Sequence, residues 1–245
     1  MFFAFSRGLV RRYIAFRFEK CPIILGGCPR SGTTLLLSVL GSHSRIYSIE
    51  NETATLYPRI RPLWLLKWLL LEDKFHLRHI PGGKQRFCEK TPGNLRNTEL
   101  IIDFFGGHVK MINLFRDGRD VVTSRHPLDP TKYWVKIDTW VNDVRYGLQV
   151  AAREHVYTLK YEDLVAAPER VLRQICEFVG EAFESTMLEH HKHTNVATNL
   201  AWFAGAQQIH EDSLRKWERP EHRARLEEFM AHPEAVSLSR RLGYI

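Results

Sequence analysis

Short apolar runs that end in glycines or in polar turns recur along the first half of the chain. The run at 22–27 precedes a helical apolar pattern at 33–40, which predicts a buried strand, a loop and a helix. Similar runs at 86–89 and 109–115 are each followed by a turn and then by a helical pattern. We therefore expect three strand-turn-helix units in this part of the chain.

Helical spacing dominates the middle of the chain. Apolar side chains three and four residues apart over 134–151 predict one long amphipathic helix. A strand at 156–159 follows, and then a helix that Pro168 begins and Gly180 ends. The alternation favours the α/β fold class, with a central parallel sheet flanked by helices on both faces. Because no repeat or long linker interrupts the pattern, we expect a single domain over 1–245.

The charge and the cysteines narrow the choice of partner and of compartment. The 245 residues carry a formal charge of +7, which favours an anionic partner such as a nucleotide, a nucleic acid, an acidic glycan or a membrane surface. The cysteines form no CxxC pair and no spacing typical of secreted disulfides; they are Cys21, Cys28, Cys88 and Cys176. Free thiols are typical of a reducing compartment, so we expect a cytoplasmic protein.

The N-terminal segment is the candidate for membrane contact. Phe2, Phe5 and Leu9 fall at helical steps with arginines interspersed, as in a helix that lies at a membrane interface. The same pattern fits a helix packed against the domain, and we favour that interpretation while keeping peripheral membrane contact through this helix as the alternative. The apolar run at 63–71 is too short to cross a bilayer.

A glycine-framed loop follows the first predicted strand. Gly27 and Gly32 enclose four residues and precede Thr33 and Thr34, which is the GxxxxG spacing of a phosphate-binding loop. Backbone N–H groups in such a loop and the positive end of the following helix bind phosphate. Thr33 replaces the lysine that ATP-using loops carry after the second glycine, while Arg30 supplies a planar cation inside the loop. The loop therefore favours a phosphate-containing donor other than a magnesium-bound triphosphate.

Two segments carry a resemblance to a known family. The loop Cys28-Pro-Arg-Ser-Gly-Thr-Thr-Leu35 and the segment from Ile112 to Ser124 resemble the signatures of sulfotransferases that use 3'-phosphoadenosine 5'-phosphosulfate (PAPS). Arg116 ends the predicted strand and Ser124 lies eight residues later, about two helical turns, so both side chains can face the same phosphate. Weaker matches are Glu89-Lys-Thr-Pro92, Tyr161-Glu-Asp-Leu164, Arg215-Lys-Trp217 and Leu242-Gly-Tyr244.

The resemblance implies a fold, a reaction and a set of donor contacts. The fold would be P-loop nucleoside-triphosphatase-like, and the reaction would transfer a sulfuryl group from PAPS to an acceptor hydroxyl. The product would be 3'-phosphoadenosine 5'-phosphate (PAP), and no metal would be required. Backbone N–H groups of 31–34 would hold the 5'-phosphate. The residues expected to bind the donor are Arg30, Ser31, Gly32, Thr33, Thr34, Arg116, Ser124, Tyr161, Arg215 and Lys216.

The resemblance also implies the catalytic groups. Arg30 and Lys90 would neutralise negative charge on the sulfuryl group and on the bridging oxygen. Family members use a histidine or a glutamate as the base, and Glu52 lies in a segment like that of the glutamate users, which include the tyrosylprotein enzymes. Glu50 is the alternative base, because it would share a face with Glu52 in an extended segment.

Other functions and several acceptors stay open at this point. A nucleotide kinase or triphosphatase would use the same loop, and a basic polyanion- or membrane-binding module would explain the charge. We expect a glycan or glycolipid hydroxyl as the acceptor, then a peptide tyrosine or a small metabolite, and no nucleic-acid partner. The histidines at 190–193 lack zinc-ligand spacing, so we expect no metal site, and we expect His43 to be structural.

Overall fold

The computed structural model describes residues 12, 14–53, 56, 80–198 and 205–245. Most of the N-terminal helical pattern and the whole apolar run at 63–71 lie outside these residues. No helix within the described ranges is long and apolar enough to cross a membrane.

Five parallel strands form the central sheet, and two short strands form a separate antiparallel hairpin. In chain order the strands are β1 (Ile23–Gly27), β2 (Ile46–Ser48), β3 (Arg86–Lys90), β4 (Lys110–Phe115), β5 (Arg125–His126), β6 (Asp129–Tyr133) and β7 (Val156–Lys160). The order across the sheet is β2-β3-β1-β4-β7, and β5 pairs with β6 in the hairpin.

Helices lie between the strands and also follow the last strand, β7. They are α1 (Thr33–Gly41), α2 (Thr98–Phe105), α3 (Gly118–Val122), α4 (Ile137–Val150), α5 (Tyr161–Ala166), α6 (Pro168–Val179), α7 (His190–His193), α8 (Arg223–Met230) and α9 (Pro233–Arg241). Short 3₁₀ segments occur at Pro92–Asn97, Ser185–Met187, Glu211–Ser213, Lys216–Glu218 and Pro220–His222.

The sheet has an apolar core on each face, because side chains alternate along its buried strands. Ile24 and Met111 belong to the cluster that contains Phe104 of α2. Their chain neighbours Leu25 and Ile112 belong to the opposite cluster, which includes residues of α1 and α6. The predicted α/β class, with a parallel sheet between two layers of helices, is confirmed.

Three elements differ from the expectation based on the sequence. Helix α4 begins at Ile137, and Trp134 instead follows the hairpin strand β6. The sequence pattern does not predict β2, since three residues are too few to show an alternation. It does not predict the hairpin either, because the segment is polar and contains Pro127 and Pro130, which usually argue against a strand.

The carboxyl ends of four strands meet at one edge of the sheet. Leu25 of β1 is in register with Lys90 of β3, Gly27 with Leu114 of β4, and the end of β4 with the end of β7. The loop after β1, the turn after β3 and the starts of α3 and α5 therefore lie next to one another. Ligands of parallel sheets bind at this edge.

Candidate active site

The loop between β1 and α1 is closed by a glycine that packs against an aromatic ring. Gly32 precedes α1 with a φ of +92°, a left-handed conformation that favours glycine. A Cβ atom on Gly32 would lie 2.2 Å from Cδ2 and 2.5 Å from Cε2 of Tyr161. The ring of Tyr161, the first residue of α5, therefore lies directly on the loop backbone.

The first turn of α1 presents backbone N–H groups next to this loop. The N–H of Ser31 donates to Cys28 O at 3.1 Å, and its expected contact with a 5'-phosphate stays a prediction. The Ser31 hydroxyl is buried and has no hydrogen-bond partner among the described residues. The N–H groups of Thr33 and Thr34 precede the first hydrogen bond within the helix, as first-turn groups do, and both residues line a cavity.

Arg30 lies within the loop in an unusual backbone conformation. Its φ is +72°, which residues other than glycine rarely adopt and which is concentrated at functional sites. Its guanidinium carbon lies 5.1 Å from the centroid of the Trp134 ring, in range of a cation–π interaction. Burial and the positive charge of Arg116 lower the pKa of Arg30. Arg30 and Trp134 both line the cavity, whereas the sequence pattern places Trp134 in a helix.

Arg116 connects three segments at the end of β4, where it is 8% exposed. Its Nη1 donates to Arg30 O at 3.0 Å, and its Nη2 donates to Ser213 O. Its guanidinium carbon lies 4.3 Å from the centroid of the Tyr161 ring. Trp140 Nε1 donates to the Arg116 carbonyl at 3.1 Å. These contacts fix the guanidinium at the cavity wall, where the sequence places a donor contact.

Asp120 joins α3 to the C-terminal wall of the cavity. Its carboxylate accepts from the N–H groups of Arg215 at 2.9 Å and Trp217 at 3.4 Å, and it lies 3.8 Å from Arg116 Nη2. Burial raises the pKa of Asp120, while Arg116 and the Arg215 N–H lower it. Ser124 also lines the cavity and donates its hydroxyl to Asp120 O at 2.8 Å. Sequence reasoning missed Asp120, although its position four residues after Arg116 is a signal of paired side chains.

The structure separates the side chains of Arg215 and Lys216. Lys216 lines the cavity, and burial together with the positive charges of nearby arginines lowers its pKa. The side chain of Arg215 is 75% exposed and pairs with Glu218 at 2.5 Å. In this structure the backbone N–H of Arg215 bonds to Asp120, while the expected contact of its side chain with the donor stays a prediction.

Further basic side chains that the sequence reasoning missed line the cavity. They include Arg125 from the hairpin, Arg219 between two 3₁₀ segments, and His222 at the end of the second of these segments. Burial lowers the pKa of His222, and the positive charges of Arg125 and Arg219 also lower it. Tyr133 OH lies 3.2 Å from His222 Nδ1. No periodic pattern marks these positions, so only the folded chain brings them together.

Lys90 and Glu52 form an ion pair at the cavity. Lys90 Nζ lies 2.5 Å from Glu52 Oε1; the side chain of Lys90 is 1% exposed and that of Glu52 is 49% exposed. Both residues line the cavity. Glu50 is exposed and lies near Tyr47, whose pKa is raised by burial and by the Glu50 charge, and it is absent from the described residues of the cavity wall. Of the two carboxylates, Glu52 is therefore the one that faces the cavity.

The cavity has a volume of about 530 Å³, which is within the range of small-molecule sites. The cationic side chains among its described wall residues are Arg30, Lys90, Arg116, Arg125, Lys216 and Arg219. The carboxylates of the same wall are Glu52 and Asp120. An excess of positive charge in a recess attracts an anionic ligand.

The buried histidines hold structural elements together. His190 Nδ1 lies 3.0 Å from Ser38 Oγ of α1, and burial, with the neighbouring His191, lowers the pKa of His190 to about 4. His43 Nε2 lies 2.9 Å from Ala182 O. Within the described part of the chain, no three His, Cys, Asp or Glu side chains are grouped so that they could hold a metal ion.

The site combines a strand-loop-helix unit that lacks the lysine with an arginine at the end of the neighbouring strand β4. Residues 22–75 and 67–185, more than half of the chain, match the sequence profile of the Sulfotransferase family. The chain belongs to the sulfotransferase family. The resemblance carried by the two sequence segments is confirmed.

Curated relatives support the same family. The protein-tyrosine sulfotransferase of Drosophila melanogaster is 25% identical to this chain over 219 residues, which cover 76% of this chain and 43% of the fly protein. The chain spans between 31% and 60% of the length of six curated relatives that it matches.

Solved structures share the fold. The sulfotransferase domain from the curacin biosynthetic pathway superposes with a TM-score of 0.61 at 16% identity and covers 92% of this chain and 98% of that domain. The mouse sulfotransferase SULT7A1, solved in complex with PAP, gives a TM-score of 0.52 at 15% identity, with 93% and 90% covered. The expected P-loop nucleoside-triphosphatase-like fold is confirmed.

Proposed function

We propose that the protein transfers a sulfuryl group from PAPS to the hydroxyl of an acceptor. The observation that carries the proposal is the convergence of Arg30, Lys90 and Arg116 on one cavity, with Glu52 paired to Lys90. The PAP complex of the mouse sulfotransferase supports this donor. Thr33 at the lysine position argues against the alternative, a kinase or triphosphatase that uses ATP.

The two anionic ends of the donor match two regions of the cavity. The N–H groups of Thr33 and Thr34 would hold the 5'-phosphate at the start of α1. Arg116 and Lys216 would bind the 3'-phosphate through charge-assisted hydrogen bonds. The Tyr161 ring contacts both the loop and the Arg116 guanidinium, so it would border the nucleoside between the two phosphates.

The proposed reaction is an in-line displacement at sulfur. The acceptor oxygen forms a bond to sulfur while the bond from sulfur to the bridging phosphate oxygen breaks, and PAP leaves. Glu52 accepts the proton of the acceptor hydroxyl. Arg30 and Lys90 neutralise charge on the sulfuryl oxygens and on the bridging oxygen. Because Glu52 and Lys90 lie side by side, the base and one of the cations act on the same group.

A pair of isosteric variants tests the base. Glu52→Gln should lower turnover by about 100-fold or more, because a general base contributes about 10²–10⁴ in rate, and it should leave PAP affinity unchanged. Glu50→Gln is the matched control and should keep full turnover, since Glu50 does not face the cavity. Full turnover of Glu52→Gln would place the base elsewhere. Binding of ATP but of neither PAPS nor PAP would favour the kinase alternative.

For the acceptor, we propose a glycan or glycolipid hydroxyl, with a peptide tyrosine as the second candidate. The glycan or glycolipid candidate rests on the apolar sequence pattern near 60–71 and at the N-terminus. This pattern falls mostly outside the described residues. The peptide-tyrosine candidate is favoured by the relationship to the fly protein-tyrosine sulfotransferase. Labelled PAPS with a neutral oligosaccharide, a glycolipid in mixed micelles, a tyrosine peptide and a small alcohol distinguishes these classes.

The proposed location is the cytoplasm, with peripheral membrane contact as the alternative for the N-terminal helix. Fractionation of cells into cytosol and membranes tests this proposal, and release of the protein from membranes by high salt would identify an electrostatic, peripheral attachment.

A further inference from the structure

A carboxylate behind the cavity is bonded to both chain segments that carry the Glu52–Lys90 pair. The side chain of Glu89, in β3, is fully buried. Its Oε1 accepts from Thr53 Oγ1 at 2.9 Å, from Thr53 N at 3.4 Å and from Thr91 Oγ1 at 2.6 Å. Its Oε2 accepts from Asn94 Nδ2 at 2.6 Å. Glu89 is not among the described residues of the cavity wall.

The partners of Glu89 are neutral groups. In the ranges that the structure describes, no lysine or arginine nitrogen donates to this carboxylate. A buried carboxylate is costly unless hydrogen bonds satisfy it, so these contacts hold each other in place. Burial raises the pKa of Glu89, and the hydrogen bonds from Thr91, Asn94 and Thr53 lower it.

We propose that Glu89 is a positioning residue for the base Glu52. Thr53, which Glu89 holds through both its N–H and its hydroxyl, is the neighbour of Glu52, and Lys90 is the neighbour of Glu89. One buried carboxylate therefore sets the place of both members of the Glu52–Lys90 pair. This inference rests on the proposed function, in which Glu52 is the base.

The geometry requires a carboxylate at this position. A glutamine would keep one oxygen for the two threonine hydroxyls and would then point its NH₂ group at Asn94 Nδ2, which is also a donor. Asn94 cannot reverse its amide without loss, because Nδ2 also donates to Leu25 O at 3.1 Å. Glu89→Gln therefore weakens the attachment of the 52–53 segment, of the turn after Lys90, or of both.

A double-mutant cycle tests the inference. The variants are Glu89→Gln, Glu52→Gln and the combination, and the matched control is Glu181→Gln. Glu181 also has a fully buried side chain, but it lies beside Arg86 at the opposite end of β3, 3.2 Å from its Nε. Turnover is measured as PAP released from PAPS with the best acceptor of the screen, or with water if none is found. PAP affinity is measured by calorimetry, and stability by urea unfolding.

We expect Glu89→Gln to lower kcat by about 10–100-fold, the loss that a misplacement of about 1 Å causes, with PAP affinity unchanged. In the Glu52→Gln background the same change should cause a smaller loss, because the part of its effect that acts through Glu52 is already lost and only the part that acts through Lys90 remains. Glu181→Gln should lower stability without lowering kcat. Additive losses, or a Glu89→Gln enzyme with normal kcat, would refute the inference alone. Full turnover of Glu52→Gln would instead refute the proposed base, and the inference with it.

A milder pair of variants keeps the inference testable if Glu89→Gln fails to fold. Thr53→Val removes the hydroxyl contact to Glu89 and preserves the side-chain shape, whereas Thr53→Ser retains the hydroxyl. We expect a lower kcat for Thr53→Val, near-normal kcat for Thr53→Ser, and normal PAP affinity for both. Equal kcat values for the two variants would contradict the proposed attachment.

Discussion

Gly32→Ala is a direct test of the contact between the donor loop and Tyr161. The backbone φ of +92° costs a residue with a Cβ about 1–2 kcal/mol. The new Cβ would also lie 2.2 Å from a carbon of the Tyr161 ring, and such overpacking costs about 1–3 kcal/mol. We therefore expect a loss of about 2–5 kcal/mol in the free energy of unfolding. Because the ring and the loop must move apart, PAP affinity should fall as well.

Gly83→Ala is the matched control for this prediction. Gly83 has nearly the same φ, +88°, and nothing lies within 4 Å of the position of its added Cβ. It should show the conformational cost of about 1–2 kcal/mol without the steric cost, and it should leave PAP affinity unchanged. Urea unfolding with and without PAP measures both effects, since a ligand stabilises the fold according to its affinity. Equal losses for the two variants would refute the contact with Tyr161.

Further predictions concern the cavity wall and the core behind it. Arg116→Ala should weaken PAP binding at least tenfold in calorimetry, since it removes a charge-assisted contact of about 1.5–3 kcal/mol; unchanged affinity would remove Arg116 from the donor site. Trp134→Leu should lower kcat more than PAP affinity, because it removes the ring that the Arg30 guanidinium faces. Equal effects on kcat and on PAP affinity would argue against a role of this ring in holding Arg30. Acid should destabilise the fold through His190, whose pKa of about 4 lies below its ordinary value. The unfolded chain takes up this proton near pH 6.5 and the folded chain only near pH 4, so about 3 kcal/mol should be lost as the pH falls between these values. His190→Gln should remove this part of the pH dependence of urea unfolding, and an unchanged pH dependence would assign it to other groups.

The sheet and the donor loop could be predicted from local sequence patterns. The apolar runs that became β1 and β4 are buried on both faces, and such runs are the usual signal of parallel strands. The spacing of Gly27 and Gly32 located the loop, because a phosphate loop requires glycine at fixed positions. Arg116 is likewise predictable from the sequence, because it belongs to a contiguous segment that follows an apolar run.

The rest of the cavity depends on contacts between distant segments. The spacing of Trp134 to later apolar residues predicts a helix, but the short hairpin before it places the ring beside Arg30. Arg219 lies between two short 3₁₀ segments and His222 ends the second of them, and such segments have no apolar periodicity. Glu89 was part of a recognised tetrapeptide, yet its role is visible only from the hydrogen bonds that it makes to Thr53 and Asn94.

The contacts of Arg116 have a consequence for the choice of fragments for expression and design. The family match ends at residue 185, but Ser213, which accepts a hydrogen bond from Arg116, lies beyond it, as does the segment at 205–222 that forms one wall of the cavity. Phe229 of α8 lies farther still and packs its ring against Trp140, which bonds the Arg116 carbonyl. A fragment that ends at residue 185 would keep the sheet and the loop, but it would lose the Ser213 carbonyl that accepts from this arginine and the cavity wall at 205–222. Truncated or chimeric versions should therefore retain the chain through α9.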